Sequence, residues 1–125
     1  MSDIALLKEI LSQILEGIRR IERRFEGVTS AQDFLVEEQN LDRLDAIGMM
    51  LIAIGESLKK FERSGGKPFM DRHPEMDWKG AKGVRDFLSH HYFDLDAEVV
   101  FAICRDRIPQ LKDVVRAMQR ELNQL

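Results

Sequence analysis

Residues 3–25, DIALLKEILSQILEGIRRIERRF, decide the fold. Ile4, Leu7, Leu11, Ile14, Ile18, Ile21 and Phe25 recur at alternating gaps of three and four. An α-helix turns once every ~3.6 residues, so this spacing gathers those side chains into one apolar stripe. The stripe predicts a helix from about Asp3 to Phe25, with Gly27 as its stop, packed on a partner helix or in a bundle core. The same rhythm returns at Leu44, Ile47, Leu51, Ile54, Leu58 and Phe61, in a segment expected to begin at Asn40 or Asp42. Met49, Met50 and Ile52 widen its apolar surface, which suits the central helix of a bundle or one that touches another subunit. Gly48 and Gly55 lie seven residues apart on one face of it and favour close approach of a neighbouring element over a ligand role.

Between these two helices, Thr29 or Ser30 is expected to cap a short helix over Ala31 to Glu38, with Asp33 in its first turn. After Phe61 the clearest break is Ser64-Gly65-Gly66-Lys67-Pro68. It lacks the GxxxxGK[ST] order of a phosphate loop, and no strand precedes it. His73-Pro74-Glu75-Met76-Asp77-Trp78 predicts a short helical turn with Pro74 near its start. Asp77 is then suited to cap a helix reaching about His90, weakened by Gly80 and Gly83. Asp94 or Asp96 fits the cap of a helix through Arg107, and Pro109 should kink or restart it. Leu111, Val114, Val115, Met118 and Leu122 form a last apolar face. There is no internal repeat and no persuasive series of strands. The expected architecture is all-α, an antiparallel bundle of four to five helices in a single domain over residues 1–125.

The 125 residues carry a net charge of -3, with 44% hydrophobic and 33% charged content. This balance suits a soluble domain with an ample core and argues against broad attraction to polyanions. Arg19, Arg20, Arg23 and Arg24 form a local basic run. Neighbouring Glu16, Glu22 and Glu26 favour a solvated flank over a nucleic-acid contact. No apolar run is long enough to span a membrane, and the acidic MSDIALLKEI opening lacks the basic start of a secretory signal; a cytoplasmic location is expected. Cys104 is the only cysteine, so no internal disulfide and no multi-cysteine zinc site can form, and its apolar neighbours predict a buried thiol.

Chemistry concentrates in Arg85-Asp86-Phe87-Leu88-Ser89-His90-His91-Tyr92. Arginine grips phosphate through a charge-assisted fork, and histidine exchanges protons near neutral pH. On one helix Arg85 and His90 would differ in direction by about 140°, leaving them to border a single cleft at a helix end or dimer seam. Asp86, four residues before His90, would reach its ring on that helix, either orienting it or forming a plain surface pair. Such a pair suits metal-free RNA cleavage, because RNA supplies its own 2′-hydroxyl nucleophile. His90 would move the proton and Arg85 would hold the phosphate. One site offers little positive charge in an acidic chain, which favours a symmetric cleft between two subunits. His91 is a further substrate contact or a solvent-facing neighbour. Tyr92 is a base contact, a modification point or a packed ring. His73 is expected to be structural, and no spacing completes a metal site.

With these residues in view, the chain resembles the HepT-like branch of the HEPN proteins, also described as the DUF86 family. That branch carries an Arg-x4-His-x-Tyr motif, matched here by Arg85, His90 and Tyr92. Asp45-Ala46, Ile54-Gly55-Glu56, His73-Pro74-Glu75, Trp78 and Tyr92-Phe93 also look like the family, most strongly from about Leu41 to Leu111. The resemblance implies a HEPN-type helical bundle, a homodimer, and a metal-independent endoribonuclease toxin without a cofactor of its own. It implies Arg85 and His90 of both subunits lining a shared cleft that takes RNA. It further implies a partner, an MntA-like nucleotidyltransferase antitoxin, that uses ATP to adenylylate Tyr92. Asp86 departs from the asparagine that follows the motif arginine in many members, and Glu56 resembles a helix acid expected in support or partner contact. Asp86 and the net negative charge also suit a different role, a non-catalytic helical adaptor for a nucleotidyltransferase.

Overall fold

The stripe of residues 3–25 becomes a helix of 24 residues, α1 (Ser2–Phe25). The computed structural model describes residues 2–91 and 94–125, without the side chains of Ser2 and of Ser89–His91. After α1 come α2 (Asp33–Val36), α3 (Glu38–Phe61), α4 (Lys67–Asp71), α5 (Trp78–Lys82) and α6 (Arg85–Leu88). A small hairpin, β1 (Ser89–His91) and β2 (Asp94–Leu95), precedes α7 (Ala97–Ala102) and α8 (Ile108–Asn123). Widened π-type turns, Glu62–Gly66 and Ile103–Arg107, join α3 to α4 and α7 to α8.

The architecture is an all-α bundle. Arg43 near the start of α3 donates to the carbonyl of Glu26, just past the end of α1 (3.3 Å), while Gly17 in mid-α1 faces Ile54 further along α3. Contacts that rise along one helix as they fall along the other make the pair antiparallel. Lys112 near the start of α8 meets Glu22 near the end of α1 at 2.9 Å, so α8 also runs against α1. Leu7, Leu11, Ile14, Ile18 and Ile21 are buried as the stripe requires, joined by Ile10, with Ile4 and Phe25 half-buried at its ends. On α3 the six apolar positions from Leu44 to Phe61 are all buried, together with Gly48 and Gly55. Each such side chain removed from water stabilises the fold by about 1.5–3 kcal/mol. α3 packs against α1, α2, α5, α6, α7 and β2, which makes it the central helix.

Several boundaries differ from the sequence expectation. The short helix is confined to α2, because Glu37 is extended (φ -131°, ψ 152°) and Asn40 ties the turn by donating to the carbonyl of Asp33 at 2.8 Å. Capping there also runs the other way. Asp33 is the acceptor, taking hydrogen bonds from the amides of Thr29 (2.8 Å) and Ser30 (3.2 Å) and from the Thr29 hydroxyl. His73 to Met76 is a hydrogen-bonded turn with Pro74 at its second position, not a helix. Pro109 restarts the last helix as expected. It withholds the amide that the carbonyl of Arg105 would use, and the Ile108 amide instead bonds Ile103, five residues back. Gly65, at φ 107°, carries the break after α3.

The largest correction concerns the motif segment. The helix expected to reach His90 is split at Gly83 and ends at Leu88; residues 89–91 are a strand paired antiparallel with Asp94–Leu95. The pairing sets Ser89 opposite Leu95 and His91 opposite Asp94, with a bulge between. The Asp96 amide reaches the Leu88 carbonyl at 2.7 Å and closes the hairpin onto the helix end. Among the described residues, no helix is long and apolar enough to cross a membrane.

Candidate functional site

Two glycines on α3 seat the motif segment from both ends. A Cβ added at Gly55 would stand 2.9 Å from the carbonyl oxygen of Ala81 and 3.2 Å from that of Lys82. The end of α5 therefore rests directly on the α3 backbone, and Val84 with it. One at Gly48 would stand 2.6 Å from a methyl of Leu95, so β2 is docked two turns away on the same face. Asp77 caps α5 by accepting from Gly80 at 2.9 Å, and Asp96 caps α7 by accepting from Val99 at 3.2 Å. Lys82 pairs with Glu62 at 2.8 Å, and the Trp78 indole donates to the carbonyls of Met70 and His73. α5, the start of α7 and β2 are thus fixed individually, by caps, an ion pair or a close contact with α3.

Arg85 and Asp86 begin α6, which is one turn long. Leu88 is buried (1%) and turns that face of α6 to the core, leaving Arg85, Asp86 and Phe87 exposed. Among the described residues Arg85 has no hydrogen bond or ion pair, and none joins it to Asp86. Its charge acts instead on Glu56, the residue after Gly55. The Glu56 carboxyl is held below the ordinary carboxylate range chiefly by the hydrogen bond and charge of Lys59 (2.9 Å), with Arg85 and Arg63 adding to it. Glu56 therefore stays ionised near neutrality and is not placed to act as a proton donor there.

The backbone of His90 lies mid-strand in β1 and that of His91 at its end, five and six residues beyond Arg85. Their side chains lie outside the described residues, as does the whole of Tyr92. Because the helix stops at Leu88, the one-turn spacing that would carry Asp86 to the His90 ring does not exist. The structure thus brings Arg85, Asp86 and Glu56 to the α3–α6 junction, with the strand carrying both motif histidines immediately after it.

The remaining chemical groups take the structural roles expected of them. His73 is 14% exposed and donates from Nε2 to Glu121 at 3.1 Å, with Glu75 3.5 Å from Nδ1, tying the α4–α5 turn to α8. Burial pushes the Cys104 thiol up to about 12, which makes it a packing group. Glu16 is held down to about 2 by hydrogen bonds from Arg19 and then Arg20, which makes that basic run a partly neutralised flank.

One feature escaped the sequence. A cleft of about 440 Å³ opens beside α6, walled by Leu51 and Ile54 of α3, Ala81 of α5 and Val99, Ile103 and Leu111. Asp86, Phe87 and Arg107 stand at it. Its walls come from segments up to 60 residues apart, so no local pattern announces it. The available signal was Phe87 itself, a large apolar residue that a one-turn helix leaves 57% exposed.

The family model described as Ribonuclease HepT-like matches residues 14–118. A candidate ribonuclease of Caldanaerobacter subterraneus subsp. tengcongensis is 32% identical over 112 residues, covering 89% of this chain and 93% of its own. A candidate ribonuclease HepT of Thermococcus cleftensis is 32% identical over 105 residues, covering 84% and 88%. A candidate ribonuclease of Methanocaldococcus jannaschii is 25% identical over 119 residues, covering 92% of each chain. No solved structure matches the chain significantly.

Proposed function

The chain belongs to the HepT-like ribonuclease family, and from that premise we propose that it is a metal-independent endoribonuclease toxin acting as a homodimer of single-domain chains. The observation that carries this is Arg85: an exposed guanidinium without an ion pair among the described residues, on a helical turn seated against α3, ahead of the strand that holds His90. An unpaired cation on a fixed support is what recognition of a phosphodiester requires. In the proposed reaction His90 takes the proton of an RNA 2′-hydroxyl, and the 2′-oxygen bonds to the adjacent phosphorus. Arg85 stabilises the charge that builds on the phosphoryl oxygens. The bond from phosphorus to the 5′-oxygen breaks and that oxygen gains a proton, leaving a 2′,3′-cyclic phosphate and a 5′-hydroxyl end. Pairing two subunits doubles the local positive charge, which a chain of net charge -3 needs.

Tyr92 is the proposed control point, with the motif's intervening His91 beside it as a substrate contact. An MntA-like nucleotidyltransferase would join the tyrosine oxygen to the α-phosphate of ATP and release pyrophosphate. The attached AMP adds bulk and negative charge where RNA must approach. Glu56 is assigned to support, since it holds negative charge beside Arg85. The end of α6 at Leu88 removes the one-turn helical spacing between Asp86 and His90, and the Asp86 carboxylate beside the motif arginine, with the net negative charge, favours an adaptor without activity.

The deciding experiment incubates the purified protein with RNA in excess chelator. Wild type should cleave to cyclic-phosphate ends, and His90→Ala should lose cleavage by about 10²–10⁴-fold while its circular dichroism is unchanged. Equal cleavage by both proteins refutes the proposed chemistry. Co-purification with a nucleotidyltransferase in the absence of any cleavage favours the adaptor.

A further inference from the structure

We infer that the cleft between α3, α6 and α7–α8 is a nucleobase subsite, which seats one unstacked base of single-stranded RNA next to the phosphate held at Arg85. It depends on RNA being the substrate, but on a different set of side chains.

Three properties of the cleft point to a base. Its volume of about 440 Å³ exceeds what a water or an ion needs and falls within the range of small organic ligands. Its walls are largely aliphatic (Leu51, Ile54, Val99, Ile103), and Phe87, 57% exposed, lines it with them. An aromatic ring left in solvent at the edge of an apolar slot is what base stacking uses, and stacking accepts any base because every base has a π-face. Second, of the polar side chains at the cleft Asp77 is engaged as the α5 cap and Gln110 donates to the Glu75 carbonyl, which leaves two of opposite kinds. Asp86 offers carboxylate oxygens without a hydrogen bond among the described residues, and Arg107 offers a guanidinium without one. A carboxylate beside a phosphate-binding arginine repels a backbone, yet it is a good acceptor for the exocyclic amine of cytosine or adenine. Third, Arg107 lines the cleft, and Arg85 immediately precedes Asp86, which also lines it. One cation at the cleft wall and a second beside its acid, neither in an ion pair among the described residues, suit a nucleotide, a flat ring joined to phosphates. A purely apolar protein segment would leave both arginines and Asp86 without partners.

The assignment makes Phe87 and Asp86 substrate-recognition groups and accounts for an acid at a position where repulsion of RNA is otherwise its only effect. It predicts preference for amine-bearing bases at one nucleotide flanking the cleavage point.

The test uses the full chain and short 2′-O-methyl RNAs, which cannot be cleaved by 2′-oxygen attack, so binding is read independently of chemistry. Each oligonucleotide carries an abasic residue at one position. Wild type should lose about tenfold in affinity when one particular base is removed, and Phe87→Ala should erase that difference while Phe87→Trp retains it. Asp86→Asn should shift the preference among bases at the same position. If every abasic RNA binds wild type as tightly as the intact one, or Phe87→Ala leaves the profile unchanged, the subsite is wrong and the cleft is left to an apolar protein segment. Equal cleavage by wild type and His90→Ala would overturn the proposed reaction without touching this result, so the two failures are distinguishable.

Discussion

α1 and α3 each run 24 residues and bury a continuous stripe, whereas α5, α6 and β1 are pieces of five, four and three residues. The long pair is held by repetition: every third or fourth side chain adds another buried apolar group, and no single contact is decisive. The segment from Asp77 to Asp96 is held by singular devices, namely two caps, one ion pair, one indole clamp and two glycines on α3. The first arrangement supplies stability. The second supplies placement, and it leaves Arg85, Asp86 and Phe87 exposed on a turn that contributes little to the core beyond Leu88. Binding groups on a short, individually pinned turn can change without unfolding the bundle that carries them.

That contrast breaks first at Phe61. Its ring is fully buried at the end of α3. Phe61→Ala should cost about 3–5 kcal/mol, a large part of the stability of a domain this size, read as a lowered urea midpoint. Arg85→Ala should do the reverse. It should lower RNA cleavage by about 100-fold or more, equivalent to about 2.7 kcal/mol of transition-state stabilisation, and shift folding stability by less than about 0.5 kcal/mol. A midpoint for Arg85→Ala as low as that for Phe61→Ala would put the motif turn into the scaffold and end the distinction.

The two α3 glycines sharpen the same comparison. At Gly55 an added methyl meets backbone carbonyls, which cannot swing aside; at Gly48 it meets a terminal methyl of Leu95, which can. Alanine also gains about 1 kcal/mol of helix propensity at either place. Gly55→Ala should therefore be destabilising by about 1–2 kcal/mol net, whereas Gly48→Ala should stay within about 1 kcal/mol of wild type. Both should impair cleavage, because each moves one end of the motif segment. Equal melting curves for the two variants would show that α5 does not rest on the α3 backbone.

The same division decides what could be read in the sequence. The burial of Leu7 to Ile21 and of Leu44 to Phe61 was legible because a repeated spacing has only one structural solution. Gly48 and Gly55 were legible as points of close approach, and Asp77 and Asp96 as caps, because each is a local device next to its own helix. The end of α6 was not legible. Residues 85–91 contain no glycine or proline, and what stops the helix is non-local: Leu95 docking at Gly48 and the Asp96 amide taking the Leu88 carbonyl. The reversal at Thr29 and Ser30 has a similar origin. Asp33 is as good an acceptor as either hydroxyl, and only the fold decides which residue turns toward which amide. The apolar cleft is the extreme case, since its walls meet only after α3, α5 and α8 have packed.

The smallest effect expected lies where the two regions touch. Glu56 belongs to the scaffold helix, but its charge interacts with Arg85 of the motif turn. Its lowered folded-state value means that any stability it contributes is present above its ordinary value of 4.5 and is lost as the pH falls through the lowered folded value, so nothing changes near neutrality. Glu56→Gln should lower the urea midpoint at pH 7 only slightly, because the Lys59 pair it removes is exposed to solvent. It should nevertheless remove a carboxylate that competes with RNA phosphate for Arg85. Exposed charges interact weakly through solvent, so the KM for RNA should fall by only about 2–5-fold at low salt with kcat unchanged. The advantage should vanish at about 0.5 M salt, where screening reaches only a few ångströms. A fall in kcat instead would make Glu56 part of the reacting assembly, and the boundary between supporting helix and working turn would have to be drawn through α3 itself.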